Sequence, residues 1–537
     1  MSRGDKWTER EELNAAFSTF DKAQGGCVIG DGIIDDSEAH IGVYGNTGYG
    51  KSSCVVIPHV ISCAYKKEAL LITDPKGEIR DITEGLLRKQ GYKVIVIDFR
   101  NPSLSPDGIN LLQAPYKMYK SGDPNLMDIA SNEIDELVHN IYPENSHADP
   151  FWPMSAADLV TGLIYSLFDV AEKEERNMAS VAKMIQQSEH RVRARETLIN
   201  EYVSMLEEGI AKDHLDGYAS APNDTRGSIH STAAQGMALF ARSNGLIKML
   251  SNDTIDVCSL DVETPLAIFI IVPDDSNTYD QLAGVIVSQL THHFIRLAHE
   301  KYNGKLPRRL NVVIEELGSI GKAISSLPSL MVSSRSRNVR LMLVLQDRKQ
   351  LVDIFGESKS ATINACIGIN YVFSSNNYHE LGEWASRCGT RITEFEGQSI
   401  SEPLITASQL AAMPVGTALI MIRNRYKYIE PLKFYNQIFS IPEMSCEERI
   451  NSQINQNHKI FNLMNYVLEK RKALEDESIN NSLASLLETH GVISNQEDYL
   501  KKDKSFLIDA IDKRIEQLER EHEAESNSPW TDNDEKE

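Results

Sequence analysis

The segment Gly45-Asn46-Thr47-Gly48-Tyr49-Gly50-Lys51-Ser52 fits G-x-x-x-x-G-K-[ST] at every fixed position. An apolar run, Ile41–Tyr44, leads into it, and a helical pattern, Ser53–Ala64, leads out, interrupted or ended near Pro58. Few folds accept a glycine-rich turn between a buried strand and a helix, so this one feature constrains the rest. The glycines let backbone N–H groups turn inward around phosphate oxygens. Lys51 reaches the β- and γ-phosphates, and Ser52 offers a hydroxyl to Mg²⁺. An ordinary glycine-rich turn is the alternative, and the strand–loop–helix context weighs against it. The expected nucleotide-binding segment is Gly45, Asn46, Thr47, Gly48, Tyr49, Gly50, Lys51 and Ser52, with Cys54 in the turn that follows. The expected ligands are ATP and Mg²⁺.

The pattern around the loop alternates strands and helices. Ala69–Thr73 reads as a strand, Ile79–Gln90 as a helix and Lys93–Asp98 as a strand, which implies a parallel sheet covered on both faces. Residues 114–254 are different in character. Helical spacing dominates in Leu126–Ile141, Ser155–Lys173, Met178–Gly209 and Ser228–Asn244, with almost no strand signal. This predicts an all-α domain inserted between strands of an α/β domain spanning 27–113 and 255–436. Strand signals return at Leu266–Val272, Asn311–Ile314, Arg340–Leu345, Asn370–Phe373 and Ala418–Ile422. Thr8–Lys22 within the first 26 residues reads as a short helix. Residues 437–520 read as a helical extension and 521–537 as a disordered acidic tail, more simply a solubilising extension than a recognition element.

Composition sets limits on function. With 537 residues, 41% of them hydrophobic, there is ample material for a large core. The formal charge of −22 is not the usual footprint of a nucleic-acid binder, which needs clustered Lys and Arg. A DNA-handling reading therefore requires local basic groups in an otherwise acidic chain. Seven scattered cysteines without a C-x-x-C motif point to a reducing compartment, no zinc site and mostly buried thiols. No stretch approaches the ~20 apolar residues of a membrane helix. The first 25 residues are too charged for a signal peptide. These features predict a soluble, cytoplasmic chain.

A phosphate-binding loop needs an acid to hold Mg²⁺ and polarise water. Leu310–Ile314 followed by Glu315-Glu316 supplies it: Glu315 would act on the metal through its water shell and Glu316 would orient or activate water. The alternative is that both acids only open the next helix, where negative charge is favoured. Gln346 leaves the strand Arg340–Leu345 at its carboxyl end, the ligand side of a parallel sheet. It is either a γ-phosphate sensor or simply a polar residue at a strand end. Arg335, Arg337 and Arg340 fit a solvated face, DNA or subunit contacts, or (for Arg335) an arginine finger acting on a neighbour.

Together these pieces resemble the coupling proteins of type IV secretion and bacterial conjugation, the TraG/TraD-like ATPases. The resemblance rests on Gly45–Ser52 with Val55-Val-Ile-Pro58; Thr73-Asp-Pro-Lys-Gly-Glu78; Val94–Asp98 with Asn110-Leu-Leu112; and Phe151-Trp152. It continues through Ile270–Asp274, Ile314-Glu-Glu-Leu317 and Leu343–Gln346, in order over about residues 26–436. It implies a RecA-like P-loop fold with an inserted all-α domain, assembled as a homo-hexamer around a channel. ATP would be hydrolysed between subunits, and DNA with its relaxase delivered to the secretion channel at the inner face of the bacterial membrane. Partners implied are DNA, relaxase or relaxosome proteins and channel components. By position, Lys51 and Ser52 match nucleotide and Mg²⁺ binding, Glu315 and Glu316 the second acidic motif, and Gln346 the strand-end glutamine. Asp74 matches a residue near the site. Arg335 falls at the trans arginine with a one-residue shift.

Two departures stand out. The acidic motif reads Glu-Glu where the family has Asp-Glu, which bears on hydrolysis more than on binding. Membrane helices common at the family's N-terminus are not in this sequence, although Trp7–Glu12 resembles the segment that follows them. Two other readings stay open: a docking receptor whose nucleotide only stabilises assembly, and another hexameric DNA translocase.

Overall fold

The computed structural model describes residues 5–19, 25–143, 149–193, 196–252, 254–395, 398–441 and 458–489, with short helical pieces between 509 and 520. The expected acidic tail lies outside the described residues. Most of the described chain forms one compact unit, 5–189 and 203–461.

Its strands in chain order are β1 (Ser18–Thr19), β2 (Cys27–Gly30), β3 (Ile33–Asp35), β4 (His40–Tyr44), β5 (Ala69–Asp74), β6 (Lys93–Asp98) and β7 (Leu266–Ile271). They continue with β8 (Leu310–Ile314), β9 (Val339–Leu345), β10 (Ile367–Val372), β11 (Thr390–Phe395), β12 (Gln398–Pro403), β13 (Thr417–Ile422) and β14 (Tyr426–Pro431). Nine form one sheet in the order β14-β13-β10-β4-β9-β8-β5-β7-β6. From β10 to β6 every pairing is parallel, while β13 and β14 close one edge antiparallel. The reason is legible in composition. Strands β5, β7, β8 and β9 are buried along their whole length, as a parallel sheet with both faces covered demands. On one face Val43, Ile72, Phe269 and Val344 share a core with Val55 and Ile61 of the helix after the loop.

That helix opens with a π turn, Ser52–Val56, and continues as Ile57–Lys66. The expected break at Pro58 does not occur. Pro58 sits in the first turn of the α portion, where a missing N–H is tolerated.

Between β6 and β7 the first unit runs through helices, among them Gln113–Tyr119, Pro124–Ile141, Phe151–Val170, Met178–Ser188, Ile210–Ser220 and Asn223–Met237. Phe151–Val170 is buried on nearly every side after its first turn. The single helix expected over 178–209 is two: it stops at Ser188 and resumes at Leu198–Ser204, because the charged run after Glu189 offers no apolar stripe. The N-terminal helix is shorter than expected. It covers Arg10–Ala16, after which Ser18 and Thr19 pair with Ile34 and Ile33.

The second unit joins 190–202 to 462–537; its long helix is Leu463–Thr489. Within it Arg471 pairs with Glu201, and Tyr202 meets Tyr466 edge-on at 5.8 Å.

The strand end that enters the loop is anchored by an aromatic and charged cluster. Trp384, 1% exposed, packs 5.3 Å from Tyr44, and the Arg348 and Arg387 guanidinium groups lie 4.5 and 4.9 Å from its ring. Its indole N–H donates to Glu380 at 2.8 Å. Trp384→Ala would empty this site and leave both arginines without the ring face, so it should cost about 3–5 kcal/mol in denaturant unfolding. A loss below ~1 kcal/mol would contradict this account of the anchor.

Candidate phosphate-loop site

The loop is fixed from both sides. Gly45 N–H donates to the Gln346 carbonyl at 3.0 Å, just past β9, and Asn46 N–H donates to the Ser374 carbonyl at 3.2 Å, just past β10. Gly45 has φ 144°, and a Cβ there would stand 2.6 Å from Cβ of Phe373. Only glycine fits this close approach of chains. The Lys51 ammonium folds back over the loop, donating to the carbonyls of Gly45 at 2.5 Å and Asn46 at 3.1 Å. Burial lowers its pKa, while the nearby Glu316 and Glu315 carboxylates oppose that shift.

The acids come to this loop across an intervening strand. β9 lies between β4 and β8, so the strand bearing Glu315 starts roughly 10 Å from the loop strand. The loop and its helix sweep across that gap, and Ser52 Oγ donates to Glu315 Oε1 at 2.5 Å. Glu315 N–H is held by Thr73 Oγ1 at 3.0 Å. Burial pushes the Glu315 carboxyl up to about 7; the Ser52 hydroxyl pulls it back, and Asp74, Glu78 and Glu316 raise it further. Glu316 is raised too, by burial first, with Lys51 opposing and Asp280 adding to it.

Asp74, at the end of neighbouring β5, accepts the Arg80 N–H at 2.8 Å through Oδ2, which fixes the start of the helix Glu78–Lys89. Among the described residues its buried Oδ1 has no hydrogen-bond partner, and burial lifts the carboxyl to about 6. Arg100 pins the same Asp74–Glu78 loop: it pairs with Asp98 at 2.7 Å and donates to the Lys76 carbonyl at 2.7 Å.

The oxygens of Ser52 and Glu315, with Asp74 close by, suit a hard cation that takes one or two protein ligands and fills the rest of its shell with phosphate and water. No group of three His, Cys, Asp or Glu side chains gathers to hold a metal alone among the described residues.

Gln346 is exposed at the end of β9, between loop and acids. Cys54 is 1% exposed; its Sγ lies beneath Gly50, 3.1 Å from where a Cβ would stand, and burial holds its thiol up to about 11. It therefore supports the loop from below. Tyr49 packs against the core, and its carbonyl accepts the Gly416 N–H at 3.1 Å.

The arginines separate from this group. Arg335 precedes β9, and β9 runs toward the site, so Arg335 lies at the far edge of the sheet, about 20 Å from its own loop. Arg340 is 1% exposed inside the sheet and cannot meet DNA or another subunit. Arg337 is tied to His299 and the Ser333 carbonyl. Thr73, Ser374 and Arg100 escaped sequence reasoning, because their roles depend on which strands are neighbours.

The model of the family described as type IV secretory system conjugative DNA transfer matches residues 3–419. The unbound monoclinic form of the bacterial conjugative coupling protein TrwBdeltaN70 superposes with a TM-score of 0.60 at 16% identity, covering 82% of this chain and 94% of that one. TrwB in complex with ADP and Mg²⁺ gives 0.60 at 16%, covering 82% and 96%. TrwB with a non-hydrolysable ATP analogue gives 0.59 at 17%, covering 82% and 97%. The chain thus has the expected RecA-like α/β fold with helices added between strands. No curated protein matches it.

The raised Glu315 carboxyl has a measurable consequence. Between its ordinary 4.5 and about 7, the folded chain keeps a proton that the unfolded chain has released. Its contribution to stability is full below that window and is lost as pH rises through about 7. In metal- and nucleotide-free protein, Glu315→Gln should therefore gain on the wild type between pH 5 and pH 8, by on the order of 2–3 kcal/mol. A stability difference that stays flat with pH would refute this.

Proposed function

The chain belongs to the type IV secretory system conjugative DNA transfer family, and on that premise we propose that it is an ATPase that recruits DNA, or a relaxase carrying DNA, and drives it toward a secretion channel at the inner face of the bacterial membrane. The observation that carries this reading is the 2.5 Å contact of Ser52 with Glu315, which sets the acidic pair against the phosphate loop.

In the proposed reaction the loop amides and Lys51 bind the triphosphate. Ser52 and Glu315 would hold Mg²⁺, which would neutralise charge on the phosphates. A cation beside Glu315 favours its ionised form, reversing what burial alone does. Glu316 takes the proton of the attacking water, and Gln346 meets the γ-phosphate or that water. TrwB is described in complex with ADP and Mg²⁺ and with an ATP analogue, which supports the same ligands here.

Arg335 stands at the far edge of the sheet from its own loop, and we assign it to the loop of a neighbouring copy in a homo-hexamer. Residues 114–254 are proposed as the insert that docks relaxase or relaxosome proteins, with 27–113 and 255–436 as the motor. No helix among the described residues is long and apolar enough to cross a membrane.

A docking receptor with little turnover is the second reading. It is favoured by a metal-side Glu315 whose carboxyl stays largely protonated up to about 7.

ATP hydrolysis by wild type and Lys51→Ala, with and without single- and double-stranded DNA at low salt, separates the two. The motor reading expects DNA-stimulated turnover that falls at least about a hundredfold in Lys51→Ala. Tight ATP binding with negligible turnover at any DNA concentration would favour docking.

A further inference from the structure

The helix Lys349–Cys366 starts directly after β9, and Gln350 is tied to that strand end twice. Its backbone N–H donates to Asp347 Oδ1 at 3.1 Å, and its side-chain Oε1 accepts the Gln346 N–H at 2.9 Å. Asp347 is itself held by Asn377, whose Nδ2 donates to Oδ2 at 3.1 Å. Because the Gln346 N–H needs an acceptor, the amide oxygen is fixed on that side and the amide nitrogen faces away.

Gly318 shows what it faces. A Cβ on Gly318 would stand 2.7 Å from Gln350 Nε2 and 3.2 Å from Glu316 Oε1, so these two atoms flank one point. Among the described residues the Glu316 carboxylate accepts no hydrogen bond, and Gln350 Nε2 donates none. An idle donor and an idle acceptor thus stand on either side of a residue with no side chain.

We propose that Gln350 is a positioning residue for Glu316: its amide nitrogen donates to the carboxylate, through a small turn of the carboxyl or one bridging water, while its amide oxygen holds the β9 end at Gln346. A carboxyl terminal torsion is soft, and a single bridging water serves nearly as well as a direct bond. One side chain then fixes the distance between the strand-end glutamine and the acid that accepts the water's proton. Lys51, Asp280 and Glu315 are the charged groups around Glu316, and none of them fixes its direction by a hydrogen bond. Gly318 has its own part, since any Cβ would push the amide aside. This inference rests on the hydrolytic reading above for its kinetic consequence, but not for the contact itself.

The test uses Gln350→Ala and Gly318→Ala in the full chain. Both should lower kcat about tenfold and leave ATP affinity within about twofold, because the donor acts on the water-activating acid and not on the loop. A purely structural role would reduce affinity and melting temperature together. A thermal-unfolding cycle with Glu316→Ala needs no turnover. The melting-temperature loss caused by Gln350→Ala should shrink when Glu316 is already alanine, leaving only the part due to the lost Gln346 contact. Equal losses in both backgrounds, or an unchanged kcat in Gln350→Ala, would overturn the proposal. A wild type without turnover would sink the hydrolytic reading, and the unfolding cycle would still decide the contact.

Discussion

The site depends on one strand standing between two others. β9 separates β4, which launches the phosphate loop, from β8, which carries the acids. Without it the acids would crowd the loop; with it, roughly 10 Å must be bridged. The bridge is made by the loop's sweep and by the length of glutamate, whose Oε1 meets the Ser52 hydroxyl. Aspartate in this position would reach one methylene less far. The Glu-Glu pair is thus compatible with this spacing, and the departure from Asp-Glu does not break the contact between loop and acid.

The same strand orders the rest of the site. Just past its end, the Gln346 carbonyl accepts the Gly45 N–H while the Gln346 N–H donates to the Gln350 side chain. Its beginning carries the sheet's far edge, where Arg335 stands. A single parallel strand therefore has an exposed glutamine just past one end and an exposed arginine just before the other. In a head-to-tail ring, one copy's far edge can face the next copy's loop. The carboxylates at the near edge, Asp74, Glu315 and Glu316, are raised by burial, and Glu315 also by Asp74 and Glu316. Such stacking of partly neutral acids is costly for folding alone and is relieved by a cation.

Much of this was legible in the chain. The loop is a motif with fixed chemistry, and β5, β7, β8 and β9 are apolar runs too short and too β-branched to read as helices. Glu315 and Glu316 were found because they end such a run. What could not be read was adjacency. Sequence gives no sign that Ser374 would receive the Asn46 N–H, that Thr73 would hold Glu315, or that Arg100 would pin the Asp74–Glu78 loop. Arg340 groups in sequence with the cations Arg335 and Arg337, yet it lies on a strand buried along its whole length. The small β2–β3 pair and β14 were missed since each is too short or too mixed to show a period. Pro58 has the sequence character of a helix break, yet it falls in the first turn of the α portion.

The central claim is that loop and acid pair form one metal-dependent nucleotide site. The direct measurement is equilibrium binding of a non-hydrolysable ATP analogue to wild type, Ser52→Ala and Glu315→Ala, with and without Mg²⁺. The account predicts that Mg²⁺ tightens binding to the wild type at least tenfold, about 1.4 kcal/mol, and that either substitution abolishes this gain while leaving metal-free affinity nearly unchanged. The same Mg²⁺ gain in all three proteins would contradict it.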